Sequence, residues 1–223
     1  MYRAILAATM VLGLAACTAG PRERYGRFIQ PVANPGKVVA TEIAFARAAQ
    51  EDGQWTAFAE YAADGGLLFG RNGAIEAKPW LKTQTDPPAA VAWEPHRVWS
   101  SCDGSLAVTQ GGFVDPDGQV GTFNTVWRRQ SDGEYRWVFD FGYPEEEAPE
   151  KPEMIASKVA DCDARLASPE VPQGAAMATS LDGTLAWSFH LVGEGERHYD
   201  VWVAGDEGWE QVVDVALAAD RPQ

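Results

Sequence analysis

The chain is short of cysteine, histidine and positive charge. Its 223 residues hold three Cys and three His. They are not grouped at metal-ligand spacing, which sets aside a zinc fold, and three Cys are too few for a disulfide scaffold. Against 32 Asp+Glu stand 18 Lys+Arg, a net charge of -14. So negative a surface repels phosphate, and no basic stripe offsets it, so nucleic acid is excluded as a partner. Beyond the N-terminus no apolar run approaches the ~18 residues that span a bilayer. Gly193-x-Gly195 lacks the third glycine of a dinucleotide loop. Ser101 and Ser180 lie in S-x-D-G turns, where hydroxyl and carboxylate cap backbone, so neither reads as a nucleophile. The acids Glu145, Glu146, Glu147 and Glu150 read as a solvated linker rather than a Ca²⁺ site. No metal and no cofactor is expected. What is present is aromatic: nine Trp, nine Phe and six Tyr within a 46% hydrophobic composition. Such a chain builds a core and is not a disordered acidic polymer.

Arg3 followed by the apolar run Ala4 to Leu14 has the charge and length of a signal-peptide core. The run ends in Leu14-Ala15-Ala16-Cys17, which resembles the lipobox of bacterial lipoproteins. That resemblance implies cleavage before Cys17 and lipidation of its thiol, which anchors the protein to a membrane without spanning it. The expectation is residues 1–16 as signal peptide and 17–37 as a lipidated tether bearing Arg22, Arg24, Arg27 and Lys37. The protein would be exported to the cell envelope, on the periplasmic face, with the outer membrane favoured over the inner. Setting Cys17 aside leaves Cys102 and Cys162 in an oxidising compartment. They are either a disulfide or two buried thiols, since Cys162 also falls on the apolar stripe Ile155, Val159, Cys162, Leu166.

Between Val38 and Ala62 the pattern has helical period. Val39, Ile43, Ala46 and Ala49 share a face, Asp52-Gly53 interrupts, and Trp55, Phe58, Tyr61 and Ala62 resume, which predicts two helices. A short strand at Leu67 to Phe69 follows, then a short helix from Pro79 to Gln84. From Val91 on, the turns Asp103-Gly104, Asp115-Pro116-Asp117-Gly118 and Ser131-Asp132-Gly133 separate the β-type runs 91–93, 97–101, 105–114, 120–129 and 135–141. Helices followed by an antiparallel meander give an α+β fold.

Within this order, Glu42, Phe45 and Ala46; Trp55 to Phe58; Tyr61 to Gly65; Trp80-Leu81-Lys82; Trp93-Glu94-Pro95; Ser101 to Gly104; Gly111-Gly112; Gly121 to Arg128; and Asp132 to Gly142 resemble the NTF2-like superfamily, specifically its SnoaL-like or DUF4440-type branch. The resemblance covers about half of the chain. It implies a cone over residues 38–143, a curved sheet wrapped against helices with a pocket between them. The superfamily includes isomerases, dehydratases and adaptors, so the fold implies no one chemistry, and relatives often dimerise through the outer sheet face, making a homodimer a candidate partner.

Period two places Phe123, Thr125 and Trp127 with Tyr135, Trp137, Phe139 and Phe141 on one sheet face. It places Thr122, Asn124, Val126 and Arg128 with Arg136, Val138 and Asp140 on the other. If the second face lines the cavity, Asn124 and Asp140 are its polar groups, with Tyr61, Trp80 and His96 as wall residues. Burial would raise the Asp140 pKa to suit a general base, with Tyr61 or His96 as hydrogen-bond donor. Alternatively Asp140 caps the sheet end.

Residues 144–152 form an acidic, Pro-rich linker. An amphipathic helix is expected at 153–166, then a three-strand antiparallel extension at 184–192, 198–204 and 209–215, docked on the first domain. This meander echoes the first. Ser101-x-Asp103-Gly104-Ser105-Leu106-Ala107 matches Ser180-x-Asp182-Gly183-Thr184-Leu185-Ala186, Val126-Trp127 matches Val201-Trp202, and Val138-Phe139-Asp140 matches Val212-Val213-Asp214. Duplication and convergent hairpin chemistry both explain the echo. The charge is uneven: residues 144–223 hold 17 acids and 5 bases, whereas residues 17–143 hold 15 and 12. Three functions fit. The first is a non-catalytic, lipid-anchored protein binding a small apolar ligand or a protein. The second is an isomerase-like or dehydratase-like enzyme using Asp140 as base, and the third is a structural module with a filled cone.

Overall fold

Asn34 starts the first helix, α1 (Pro35–Asp52), by accepting from the Lys37 amide at 3.0 Å, with Pro35 filling a position that needs no amide donor. The helix stops at Gly53, whose φ is 112° and whose hypothetical Cβ would lie 2.4 Å from the Asp86 carboxyl. Glycine therefore lets Asp86 approach the next helix, α2 (Gln54–Tyr61). There it accepts from Trp55 N, Thr56 N and Thr56 Oγ1 at 2.6, 3.1 and 2.6 Å. These bonds, that of the Thr56 hydroxyl foremost, hold Asp86 below the usual carboxylate range.

The computed structural model describes residues 32–70, 73–193 and 195–218. The signal segment, Cys17 and the tether through residue 31 lie outside the described residues. Of the expected tether, residues 32–37 belong to the fold: Ala33 N donates to Cys102 O at 2.9 Å, and α1 begins at Pro35 rather than at 38. No helix among the described residues is long and apolar enough to cross a membrane.

The buried face of α1 is Val38, Glu42, Phe45 and Ala49. The expected face is thus rotated by about one residue, and Ile43 is exposed. After α2 come β1 (Ala62–Gly70), β2 (Gly73–Glu76) and α3 (Ala77–Leu81). The strand expected at Leu67 to Phe69 is longer, and the short helix starts earlier. The meander is β3 (Ala92–Ser100), β4 (Leu106–Val114), β5 (Val120–Arg129) and β6 (Tyr135–Pro144). The two runs expected at 91–93 and 97–101 form one strand with an irregularity between Pro95 and Arg97, where proline cannot donate to the ladder.

The helix expected at 153–166 does not form. Its place is taken by β7 (Ala156–Val159), paired parallel to Arg97–Ser100 of β3, and by irregular chain. Long-range pairing wins over local period here because the β3 edge offers unpaired backbone groups. The Ala160 amide donates to Ser100 O and that of Asp161 to Ala204 O, both at 2.9 Å. Ile155, Val159 and Leu166 of the expected stripe are exposed, and Cys162 is bonded to Cys102 as a disulfide. That bond ties the β3–β4 turn to the segment after β7.

Seven strands form the first sheet in the order β2-β1-β6-β5-β4-β3-β7. Four form the second, β11-β10-β9-β8, from β8 (Ala176–Thr179), β9 (Leu185–Val192), β10 (Glu196–Gly205) and β11 (Gly208–Leu217). The three expected C-terminal strands are present, and β8 is an addition, since Ala-Met-Ala-Thr carries no alternation. The α+β architecture therefore has three layers, with α1 and α2 on one face of the first sheet and the second sheet on the other. Phe139 packs on Trp187 and Tyr199 of the second sheet, with ring centroids 4.7 and 5.5 Å apart. The sheet face that was the candidate dimer surface is thus occupied by the chain's own C-terminal strands.

The echo in sequence is an echo in geometry. Leu106 N donates to Ser101 Oγ and Leu185 N to Ser180 Oγ, at 3.1 and 3.0 Å. The two turns clasp reciprocally: Cys102 N donates to Thr184 Oγ1 and Leu181 N to Ser105 Oγ, both at 2.9 Å. The β5–β6 register breaks between Val126 and Trp127, and the β10–β11 register between Val201 and Trp202. Val138 and Val212 are the matching extra residues. Turn, clasp and bulge at equivalent positions support duplication over convergence.

Candidate ligand pocket

That bulge decides which side chains face the helices. Trp127 opposes Trp137, but Val126 opposes Phe139 and Thr125 opposes Asp140, so β6 changes face across Val138. The strict period-two division therefore fails on β6. Trp137 turns toward α1 and α2 and Phe139 and Phe141 toward the second sheet, and Asp140 joins Phe123 and Thr125 on the helix side. Asn124, opposite Phe141, points the other way and is buried, its Oδ1 accepting from Gln110 Nε2 at 3.1 Å. Asn124 and Asp140 do not share a cavity wall.

Asp140 lines a pocket of about 180 Å³ together with Gln54, Phe58, Val91, Trp93, Phe113, Phe123 and Gly142. Glycine makes room for its rings. A Cβ at Gly111 would meet the Phe123 ring at 2.8 Å, and one at Gly121 the Phe113 ring at 2.5 Å. Gln54 is fixed by accepting from the Val91 amide at 3.0 Å. Asp140 is half-buried and accepts from Thr125 Oγ1 at 2.7 Å. Burial pushes its carboxyl up to about 7, against the Thr125 hydrogen bond, and the neighbouring charge of Glu42 adds to the rise.

Glu42 is fully buried behind this floor. Its Oε1 accepts from Trp93 Nε1 at 2.8 Å, and its Oε2 from Thr109 Oγ1 at 2.5 Å and Trp127 Nε1 at 2.9 Å. Burial raises its pKa too, opposed by the bonds from Thr109, Trp93, Trp127 and Thr125. Trp93 is both a donor to Glu42 and a pocket wall, so Glu42 fixes the wall while contributing charge behind it.

Tyr61 stacks on Phe45 with centroids 5.1 Å apart, and Trp80 packs on Trp55 at 5.1 Å. Neither lines the Asp140 cavity. His96 borders a neighbouring space of about 400 Å³ with Glu94, Pro149 and Lys151, and burial lowers its pKa. Of the expected wall and polar residues, the cavity holds Asp140 alone. Sequence reasoning did not single out Glu42, Thr109, Thr125, Trp93 or Phe113 as site residues. A signal existed for Glu42, an acid on the apolar spacing Val38, Phe45, Ala49. Thr109 and Thr125 carried none, because a threonine in a strand is ordinary.

Fold and site together define an α+β protein with an aromatic pocket between helices and curved sheet, floored by a carboxyl that titrates near neutrality. Two solved structures align with about half of this chain. A "putative ketosteroid isomerase" from Parabacteroides distasonis aligns with 52% of this chain and 97% of its own, at 15% identity and a TM-score of 0.40. Nuclear transport factor 2 from Cryptosporidium parvum aligns with 51% of this chain and 98% of its own, at 12% identity and a TM-score of 0.38. No protein-family model and no curated protein matches the sequence.

Proposed function

We propose that this protein binds a small, largely apolar molecule in the cavity between α2 and β3–β6, with Asp140 as its polar anchor. We further propose that it is exported and held at a membrane surface by lipidated Cys17. The observation that carries the binding reading is the cavity itself, with apolar and aromatic walls around a single ionisable group. Export is supported by the sequence of residues 1–17 and by the Cys102–Cys162 disulfide, which suits an oxidising compartment. The decisive experiment is native mass spectrometry of protein extracted from its own membrane. A bound small molecule that is lost from Asp140→Asn supports the reading, and protein without bound mass that also fails to take up apolar probes overturns it. For the anchor, Cys17→Ser should move the protein from the membrane to the soluble fraction; retention in the membrane would refute lipidation.

One observation favours a second reading, proton-transfer catalysis of the isomerase kind. A carboxyl raised to about 7 and reachable from the pocket is suited to a general base. Asp140 would take the proton from an activated carbon and return it at another position. Full activity of Asp140→Asn on any substrate found would exclude this role.

A further inference from the structure

Four rings surround the cavity, those of Phe58, Trp93, Phe113 and Phe123, and no lining residue is Lys, Arg or His. Behind the floor Glu42 is as short of cations as the cavity, since the groups bonded to it, Trp93, Trp127 and Thr109, are all neutral. Each Glu42 oxygen accepts from an indole N–H, which can only donate, so neutral donors alone hold this carboxyl. Asp140 receives one hydroxyl, from Thr125. The site therefore places Asp140 among aromatic rings, with Glu42 buried behind it and no counter-charge at either carboxyl. An anion would be repelled there, and a neutral molecule would bring Asp140 no counter-charge. A cation would pair with Asp140 while the ring faces, negative at their centres, attract it as well.

We infer that the ligand of this pocket is a small apolar cation, a substituted ammonium ion whose charged head sits against Asp140 within the rings of Phe58, Trp93, Phe113 and Phe123. This rests on the cavity being a ligand site and adds the chemical class. Binding such an ion favours ionised Asp140, so it releases a proton and tightens as pH rises. The titratable group on Asp140's own side of the sheet is Glu42 from α1; Tyr199 of β10 lies across the sheet, among the rings of the inter-sheet core, and feels the Asp140 charge from there. Tyr199 stays neutral throughout that range, its pKa raised well above the ordinary value by burial.

The test is calorimetric titration of the full chain with benzylammonium and with benzyl alcohol, its neutral counterpart, at about pH 8 and about pH 6. The expected result is a preference for benzylammonium of at least about tenfold at the higher pH, shrinking at the lower pH. The preference should vanish in Asp140→Asn while benzyl alcohol still binds. Should that variant fail to fold, Phe123→Leu keeps the cavity apolar and removes one ring. It should weaken benzylammonium about threefold or more and leave benzyl alcohol nearly unchanged. Equal or tighter binding of benzyl alcohol, a pH-independent preference, or equal losses in Phe123→Leu would overturn the assignment while the ligand site stands. Failure of both probes to bind would overturn the ligand site as well.

Discussion

The two meanders are built alike and end differently. Asp140 on β6 and Asp214 on β11 occupy equivalent places, each following a bulge and each opposite β-strand residues at matching register, Thr125 and Asp200. Over Asp140 lie Trp93 and Phe58, and burial drives its carboxyl to about 7. Asp214 lies exposed. The face around it carries Ser188 and Asp200, the counterparts of Thr109 and Thr125, with Ser188 Oγ 3.3 Å from Asp200 Oδ2. The pattern of polar positions is thus carried by the sheet, whereas the pocket is made by the cover. Where α1 and α2 lie over the pattern a lined pocket results.

The largest expected effect concerns how the halves are joined. Cys102 and Cys162 enclose a separation of 60 residues. Replacing both with Ser should lower unfolding free energy by about 4 kcal/mol in the chain-entropy account. Denaturant unfolding measures it, and a loss under about 1 kcal/mol would show that the reciprocal clasp suffices to hold the halves together.

Next comes the covered carboxyl. Its folded pKa of about 7 stands above the ordinary 3.8, so between these values the folded protein keeps a proton that the unfolded chain has released. Stability from this group is full below about pH 4 and falls as pH rises toward 7, by about 2–4 kcal/mol. Asp140→Asn should remove most of that slope and be the more stable protein at about pH 8. Parallel pH profiles for the two proteins would break the contrast with Asp214.

The clasp predicts a smaller, symmetric pair of effects. Thr184→Ala strips the Cys102 amide of its acceptor and Ser105→Ala that of Leu181. Each should cost about 1–2 kcal/mol, measured by urea unfolding, and markedly unequal losses would break the pseudo-symmetry of the turns. The smallest expected effect is at the uncovered counterpart: Asp214→Asn should change stability by less than about 0.5 kcal/mol in urea unfolding.

Much of the meander was legible because it rests on local chemistry. β5 begins and ends where Asp-Gly turns and alternation place it, and β4, β6, β9, β10 and β11 differ by a few residues at their ends. The expected C-terminal helix was not legible, because Cys102 and the open β3 edge, far away in sequence, claim that segment. The site was half legible. Asp140 stood out as an acid in an aromatic strand, but the bulge at Val138 reassigns every β6 residue beyond it to the opposite face, and a bulge leaves no mark in alternation. Glu42, hidden in an otherwise ordinary helical stripe, gains its meaning from Trp93, Thr109 and Trp127, residues 51 to 85 positions away.

Residue order by itself determined the α+β class, the turn positions and the repeated S-x-D-G motif, because each depends on backbone preferences within a few residues. Only the tertiary structure decided which carboxyl is buried, which rings surround it and what covers the second sheet face. Those outcomes depend on register and long-range packing, where a one-residue shift turns a side chain from one face to the other.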